Sequence, residues 1–478
     1  MPDIRYVCMS DTHFGEEDSL LTNLKTASCE IDFSQPSPVL LQFVACLRKL
    51  IEQNEMPAKP TLVLNGDILE LALADTNEAA MVFERFIELI MPPGKELFHK
   101  IIYIPGNHDH HLWETARETQ YTNYISEIEP QTFLQIPWHT TNLFLEQTER
   151  SVPSFFLTRL TRRYEHLKDF TIETAYPNLG LVDEQKRKCV IFHHGHFIEP
   201  LYTLMTFLRT LIFADSNPPK EIWDLEAENF AWIDFFWSTM GRSGQAGRNI
   251  ELIYEKLHDK EQLKKLLHNL AKNLAEKYDL PGWGDRMESK LLEWAFDLLV
   301  DRFFSLERSY IDKPLSPETE KGLWKYMNRY VYNQIKSEVD PGKFAKMETT
   351  FVFGHTHKPF AEDMNFQNYN GWVNVYNTGG WVVETVTPQP LHGGSVVLVD
   401  ENLDAVSLRM YNQAQDAEGY RVAVEEAART SDKKNGLYQR INQLVKPRQN
   451  PWKAFSQAVE RAVVVRAHNL KARINERV

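Results

Sequence analysis

The stretch Ile101-Ile102-Tyr103-Ile104-Pro105-Gly106-Asn107-His108-Asp109 decides how this chain is read. Four apolar residues predict a short buried strand. Pro-Gly ends it, and an amide, an imidazole and a carboxylate follow at once. Polar side chains clustered just beyond a strand end are where α/β sheets place their sites. The same grammar recurs four times. Ile4 to Met9 precedes Ser10-Asp11-Thr12-His13, and Thr61 to Leu64 precedes Asn65-Gly66-Asp67. Cys189 to Phe192 precedes His193-His194-Gly195, and Thr350 to Phe353 precedes Gly354-His355-Thr356-His357.

Between the early runs, Val39 to Gln53 and Ala79 to Met91 carry apolar residues at helical spacing, so the order is the strand–helix alternation of an α/β fold. Two long interruptions follow, residues 112–186 and 201–346. The second reads as nearly all helix, with amphipathic stretches at Glu251–Tyr278 and Lys290–Tyr310, and holds six of the 11 Trp. Strand-like text returns after His357, at Gly371–Tyr376, Trp381–Thr385, Gly394–Asp400 and Ala405–Tyr411. The expected organisation is a core in three parts (1–111, 187–200 and 347–411), two insertions (112–186 and 201–346) and a helix-prone tail at 412–478.

The five clusters supply carboxylates, imidazoles and one amide. Mixed oxygen and nitrogen donors suit manganese, iron, cobalt or zinc better than calcium or magnesium. A carboxylate such as Asp67 can bridge two ions, and two ions about 3.5–4 Å apart clamp a phosphate and activate a water. Each cluster alone is also ordinary turn chemistry or a surface pair. Their conjunction, each at the end of a buried-looking strand, is what favours a site.

In this order the clusters resemble the calcineurin-like metallophosphoesterase family, whose motifs run D-x-H, G-D, G-N-H-[DE], H and G-H-x-H. Here they are Asp11-Thr12-His13, Gly66-Asp67, Gly106-Asn107-His108-Asp109, His194-Gly195 and Gly354-His355-Thr356-His357. The resemblance implies a sandwich of two mixed β-sheets flanked by helices, here with a large α-helical insertion as a cap. It implies Asp11, His13 and His357 on one metal, Asn107, His194 and His355 on a second, and Asp67 bridging. His108 would contact the phosphoryl oxygen or protonate the leaving group, with Asp109 orienting it. The implied activity is hydrolysis of a phosphoester or pyrophosphate bond by a metal-bridging hydroxide. Two divalent ions are implied, manganese first, with iron, zinc, cobalt or nickel as alternatives.

Neighbouring residues read less sharply. His193 is expected to pack and His196 is a candidate for substrate contact. Glu70 is either a support for the metal site or a helix-start acid, and His110 and His111 are expected to be solvated or packed. The glycine-rich stretch 241–248 reads as a hinge between helices, or as a loop that lets Arg242 and Arg248 reach a phosphate. Leu201, Leu204, Met205, Leu208, Leu211 and Ile212 recur at helical spacing directly after a ligand cluster. They predict a lid helix that packs on the core, gives the site an apolar wall for a bulky leaving group, or does both; on the second reading the expected substrate is a bulky nucleotide- or lipid-linked phosphate.

Composition and charge narrow the alternatives. With 43% hydrophobic and 25% charged residues, wholesale disorder is excluded. Residues 429–478 hold 12 basic and 3 acidic residues, which leaves 41 basic against 63 acidic on the rest. An acidic body is a poor nucleic-acid surface, which disfavours a nuclease of the same superfamily. The basic tail places Trp452, Phe455, Val459 and Val463 near helical spacing. It is read either as a peripheral membrane or partner contact, or as a helix docked on the protein's own acidic body; a non-catalytic scaffold on this fold is a separate alternative. The apolar run Leu201–Ala214 is too short for a bilayer of about 30 Å. The four Cys are scattered, which fits a reducing, cytoplasmic setting.

Overall fold

A computed structural model describes residues 2–25, 30–145, 152–213, 217–235, 237, 310, 312–415, 419–427 and 435–476. The helical readings of 251–278 and 290–309 and the glycine-rich stretch 241–248 lie outside the described residues. All five motif-bearing runs are strands: β1 (Ile4–Met9), β2 (Thr61–Asn65), β3 (Lys100–Ile104), β7 (Lys188–His193) and β8 (Glu348–Phe353). The others are β4 (Val152–Pro153), β5 (Ile172–Thr174), β6 (Asn178–Asp183), β9 (Phe360–Asn365), β10 (Trp372–Asn377), β11 (Gly393–Asp400), β12 (Ala405–Asn412) and β13 (Ala423–Glu425).

They form two mixed sheets. The 8-stranded sheet runs β13-β12-β11-β1-β2-β3-β5-β4, and the 5-stranded sheet runs β6-β7-β8-β10-β9. The motif strands are parallel to their motif-bearing neighbours: β1 to β2, β2 to β3 and β7 to β8. Their carboxyl ends therefore point the same way, and the five clusters gather at one edge of the sandwich.

Two-residue alternation explains why these strands look continuously apolar. Cys8, Val63, Ile102 and Ile104 of one sheet pack against Val190, Phe192 and Val352 of the other, forming the inter-sheet core. The intervening Val7, Met9, Leu62, Leu64, Ile101 and Tyr103 face outward onto the helices Pro38–Ile51 and Thr76–Ile90. Ile191, Phe351 and Phe353 face outward onto the helical insertion, meeting Ile222, Leu225, Leu323 and Met327. Both faces of each strand are buried, the pattern of covered parallel sheets.

Segment 112–186, read as an interruption, supplies β4, β5 and β6 to the two sheets and the helix His111–Glu127. Trp381–Thr385, read as a strand, forms only an isolated bridge between Val382 and Ser19. Its Trp381 instead fills the core against Phe43, Tyr411 and Phe455. The tail forms β13 and the helices Gly436–Leu444 and Trp452–Glu476. Trp452, Phe455, Val459 and Val463 are buried in the main core, so the stripe a membrane would have met is packed against the protein itself. Among the described residues no helix is long and apolar enough to cross a membrane.

Candidate metal centre

The strand ends turn sharply. Asp11, His13, Asp67, His355 and His357 all have positive φ, between 44° and 70°. L-residues rarely adopt that region, and such strain clusters where the surrounding structure holds functional side chains in place. Here hydrogen bonds between the turns do the holding. The Asp11 amide donates to Gly66 O at 2.9 Å and the His13 amide to Asp67 O at 3.0 Å. The His355 amide donates to the Asp11 carboxylate at 3.0 Å, and the His108 amide to Asp67 Oδ1 at 2.8 Å. The motif glycines make room for these contacts. A Cβ on Gly106 would lie 2.2 Å from Asp67 Oδ1, and one on Gly354 would lie 2.2 Å from Asp11 Oδ2.

Two ligand clusters result. Asp11, His13 and His357 form one; Asp67, His194 and His355 form the other; within each, one ligand atom per residue lies within 4.8 Å of the rest. Asp67 Oδ2 lies 3.3 Å from His194 Nε2 and 3.8 Å from His13 Nε2, so this one oxygen faces both clusters. Asn107 Oδ1 lies 3.0 Å from His194 Nε2, on the second cluster. His13 Nε2 and Asp67 Oδ2 are buried and have no hydrogen-bond partner among the described residues. Buried polar atoms without partners are costly unless something else satisfies them. Aimed at one another across a set of imidazoles, carboxylates and an amide, they fit two divalent cations. The arrangement is that of a dinuclear centre.

The charges support the same fit. Burial disfavours a charge on Asp67, yet His194 and His108 beside it hold its carboxyl well below the ordinary range. Burial likewise opposes a charge on His194, but Asp67 outweighs it and lifts the imidazole to about 9. A divalent cation held by Asp67 and His194 would take the place of that proton.

A further layer of carboxylates orients the imidazoles. Glu70 Oε2 lies 2.8 Å from His13 Nδ1 and 2.8 Å from His108 Nδ1. Glu384 Oε1 lies 2.9 Å from His357 Nδ1, and Glu199 Oε1 lies 3.5 Å from His355 Nε2. A carboxylate on the far ring nitrogen fixes tautomer and orientation. Glu70 is not a helix-start acid, since the following helix begins at Thr76. Asp109, expected to orient His108, instead accepts from the backbone amides of Gly106 at 2.7 Å, Ile68 at 2.8 Å, and Asp67 and Leu69 at 3.3 Å. It braces the Gly66-Asp67 turn, and the carboxylate that faces His108 is Glu70. Burial and the neighbouring Asp67 push Asp109 up to about 6.

The other histidines separate cleanly. His193 points away from the centre, with Nδ1 3.0 Å from Pro177 O and its ring stacked on Tyr326. His196 is buried and stacked on Tyr176, whose hydroxyl lies 3.3 Å from Nε2. His110 is fully buried rather than solvated, 3.1 Å from Glu226 Oε1. His111 is partly exposed, 3.3 Å from Asp234 Oδ1. Both acids lie on the insertion helix Ile222–Asp234, which is thereby anchored directly beside His108. The insertion also reaches the centre itself. The Trp237 ring lies 3.9 Å from that of His108, and the Tyr202 ring lies 5.1 Å from that of His355. Neither Trp237 nor Glu384 carried a motif; only contact across the fold reveals them.

Fold and ligand clusters together define a metallophosphoesterase-type catalytic site. The chain matches the calcineurin-like phosphoesterase family over residues 4–233, which takes in the first four motifs. The fifth, at 354–357, joins them through β8 pairing with β7. No curated protein matches the chain.

Proposed function

We propose that the protein is a dinuclear metal-dependent phosphohydrolase that cleaves a phosphoester or pyrophosphate bond of a nucleotide- or lipid-linked substrate. The observation that carries this reading is the convergence of Asp11, His13, His357, Asp67, Asn107, His194 and His355 around shared space, with His108 at its rim. Bound divalent ions, manganese first, supply Lewis-acid activation of water and of the phosphoryl oxygens.

The chain's own residues do the rest. His108 is the proton donor. Both ring nitrogens are buried and outside hydrogen-bond geometry among the described residues, with Glu70 Oε2 lying 2.8 Å from Nδ1. Nε2 is therefore the nitrogen available to give a proton to the departing oxygen. Glu70 keeps the ring in that tautomer and orients His13 alongside. Asp109 holds the turn that carries Asp67. The ligand residues and His108 are all 2% exposed or less, so the donor atoms are held away from bulk solvent. The intact donor set weighs against a non-catalytic scaffold, and the excess of acid on residues 1–428 weighs against a nuclease. The scattered cysteines support a reducing, cytoplasmic setting.

The test is a metal-supplemented screen of the full chain against monoesters, diesters, nucleotide pyrophosphates and single-stranded DNA. Turnover of a phosphoester or pyrophosphate that vanishes with chelator is expected. Inertness toward all four classes with every metal overturns the reading.

A further inference from the structure

Among the described residues, one more group of metal-ligating side chains is drawn together outside the dinuclear centre. His110, Glu114 and Glu226 each offer one ligand atom, and these lie within 4.8 Å of one another, as the ligand atoms do within each cluster of the centre. His110 has helical backbone angles and directly precedes the helix His111–Glu127. His110 and Glu114 therefore stand four residues apart on one helix face, where side chains meet. Glu226 comes from the insertion helix Ile222–Asp234. His110 and Glu226 are fully buried, and the Glu114 side chain is 13% exposed.

The contacts made by the three leave two polar atoms over. His110 Nε2 lies 3.1 Å from Glu226 Oε1, and the Tyr176 hydroxyl donates to Glu226 Oε2 at 3.0 Å. Arg117 Nε donates to Glu114 Oε2 at 3.1 Å. Glu114 Oε1 and His110 Nδ1 are buried and have no hydrogen-bond partner among the described residues. Buried polar atoms seldom go unsatisfied. Burial, with Glu226 nearby, pushes the Glu114 carboxyl above its ordinary range although His110 and Arg117 pull it down. Two buried carboxylates beside an imidazole are a costly core but a good donor set for a transition-metal cation. The spacing suits one too, since donors sharing a zinc ion at bond lengths of about 2.0–2.2 Å lie about 3–3.5 Å apart.

We propose that His110, Glu114 and Glu226 form a separate site for a third divalent cation of the zinc type, which clamps the insertion to the helix following the Gly106–Asp109 turn. Three protein ligands leave a fourth position for water. The cation's role is structural. It joins the insertion to a residue two positions past His108, so the helix beside the catalytic centre is tied down next to its proton donor. The site stands independently of the hydrolase reading. In metal-free protein Glu226 favours a proton on His110 instead, and the cation displaces it.

The experiment saturates the full chain with zinc at about pH 7.5, where a neutral imidazole is readily reached, removes free metal by gel filtration and measures zinc per chain. Wild type is expected to hold one ion more than Glu226→Gln or Glu114→Gln. In calorimetric titrations each of these variants is expected to weaken one zinc equivalent by at least about 100-fold, more than loss of an outer hydrogen-bond partner does, and to leave the rest unchanged. Glu114→His returns a donor to the same helix face and is expected to recover the ion. Asp67→Ala, which disables the dinuclear centre, is expected to keep it. Zinc is then expected to raise the Tm of Asp67→Ala but not that of the Asp67→Ala, Glu226→Gln double variant, and melts in chelator establish that each variant folds. Equal zinc in wild type and both Gln variants, loss of every ion together in those variants, or no zinc on Asp67→Ala overturns the inference. Absence of turnover by a wild type that holds the extra ion overturns the hydrolase reading alone.

Discussion

Glu70 places Oε2 2.8 Å from Nδ1 of His108, deep in a site where neither side chain is more than 2% exposed. Burial disfavours a charge on Glu70, but His108 and His13 hold its carboxyl well below the ordinary range, so it stays ionised beside them. Its other oxygen accepts from the amides of Ala72 and Leu73 at 2.8 and 2.9 Å, which lock the side chain in place. Glu70→Gln is expected to lower kcat about 10- to 100-fold while changing KM by less than about twofold, because orientation of the acid, not substrate affinity, is lost. Steady-state kinetics on the two proteins checks this. Equal loss in kcat and kcat/KM with unchanged metal content is the expected signature.

Asp67 and His108 separate metal retention from proton transfer. Asp67 Oδ2 faces both ligand clusters, whereas His108 contacts Glu70, His13 and Trp237. Asp67→Ala is expected to abolish turnover and to lower metal content after gel filtration. His108→Ala is expected to cost about 10³-fold in kcat and to keep its metals. Elemental analysis alongside turnover assays distinguishes them; normal turnover by either variant sinks the assignment.

The motif strands were legible because both sheet faces are covered, so each run is mostly apolar without polar alternation and ends on its ligand turn. The donor residues were legible because a metal needs particular side chains at particular strand ends. Other features had no local signature. β4 and β5 are two and three residues long, too short for any period to show. Glu384 and Trp237 meet the site only through the fold. The tail's stripe of Trp452, Phe455, Val459 and Val463 was visible as apolar, but a stripe does not say what covers it. The same holds for Asp109, whose carboxylate faces backbone amides of its own turn and of the Gly66-Asp67 turn rather than its neighbour in sequence.

The clamp between core and insertion carries a pH dependence. Burial alone would lower His110, but Glu226, with Glu114 and Asp234 behind it, holds it above its ordinary 6.5. A raised folded value means the protonated pair stabilises the fold fully below about pH 6.5, and that this contribution is lost as pH rises through the raised value. Glu226→Gln removes the pair. The Tm difference between wild type and variant is expected to be largest near pH 6 and to shrink as pH rises above it. A difference that grows with pH contradicts the pairing.

The basic C-terminal helix is the remaining test, because deleting it separates a structural element from an adaptor. Arg466 is buried, donating from Nε to Ser19 O at 2.9 Å and from Nη2 to Thr22 O at 2.6 Å. Arg473 pairs with Glu17 and Asp18. All four partners lie on the loop that leaves the Asp11-Thr12-His13 turn, so the helix braces the first ligand cluster from behind. Phe455 is fully buried, against Trp381. Phe455→Ala is expected to cost about 3–5 kcal/mol, as for other buried aromatic truncations. Removal of residues 429–478 is expected to lower Tm sharply and to loosen metal retention in the same step. Thermal melts and metal analysis of the truncated and full chains check both. A truncated protein that melts at the wild-type temperature, holds its metals and has lost only binding to anionic liposomes would show that the helix serves a membrane and not the fold.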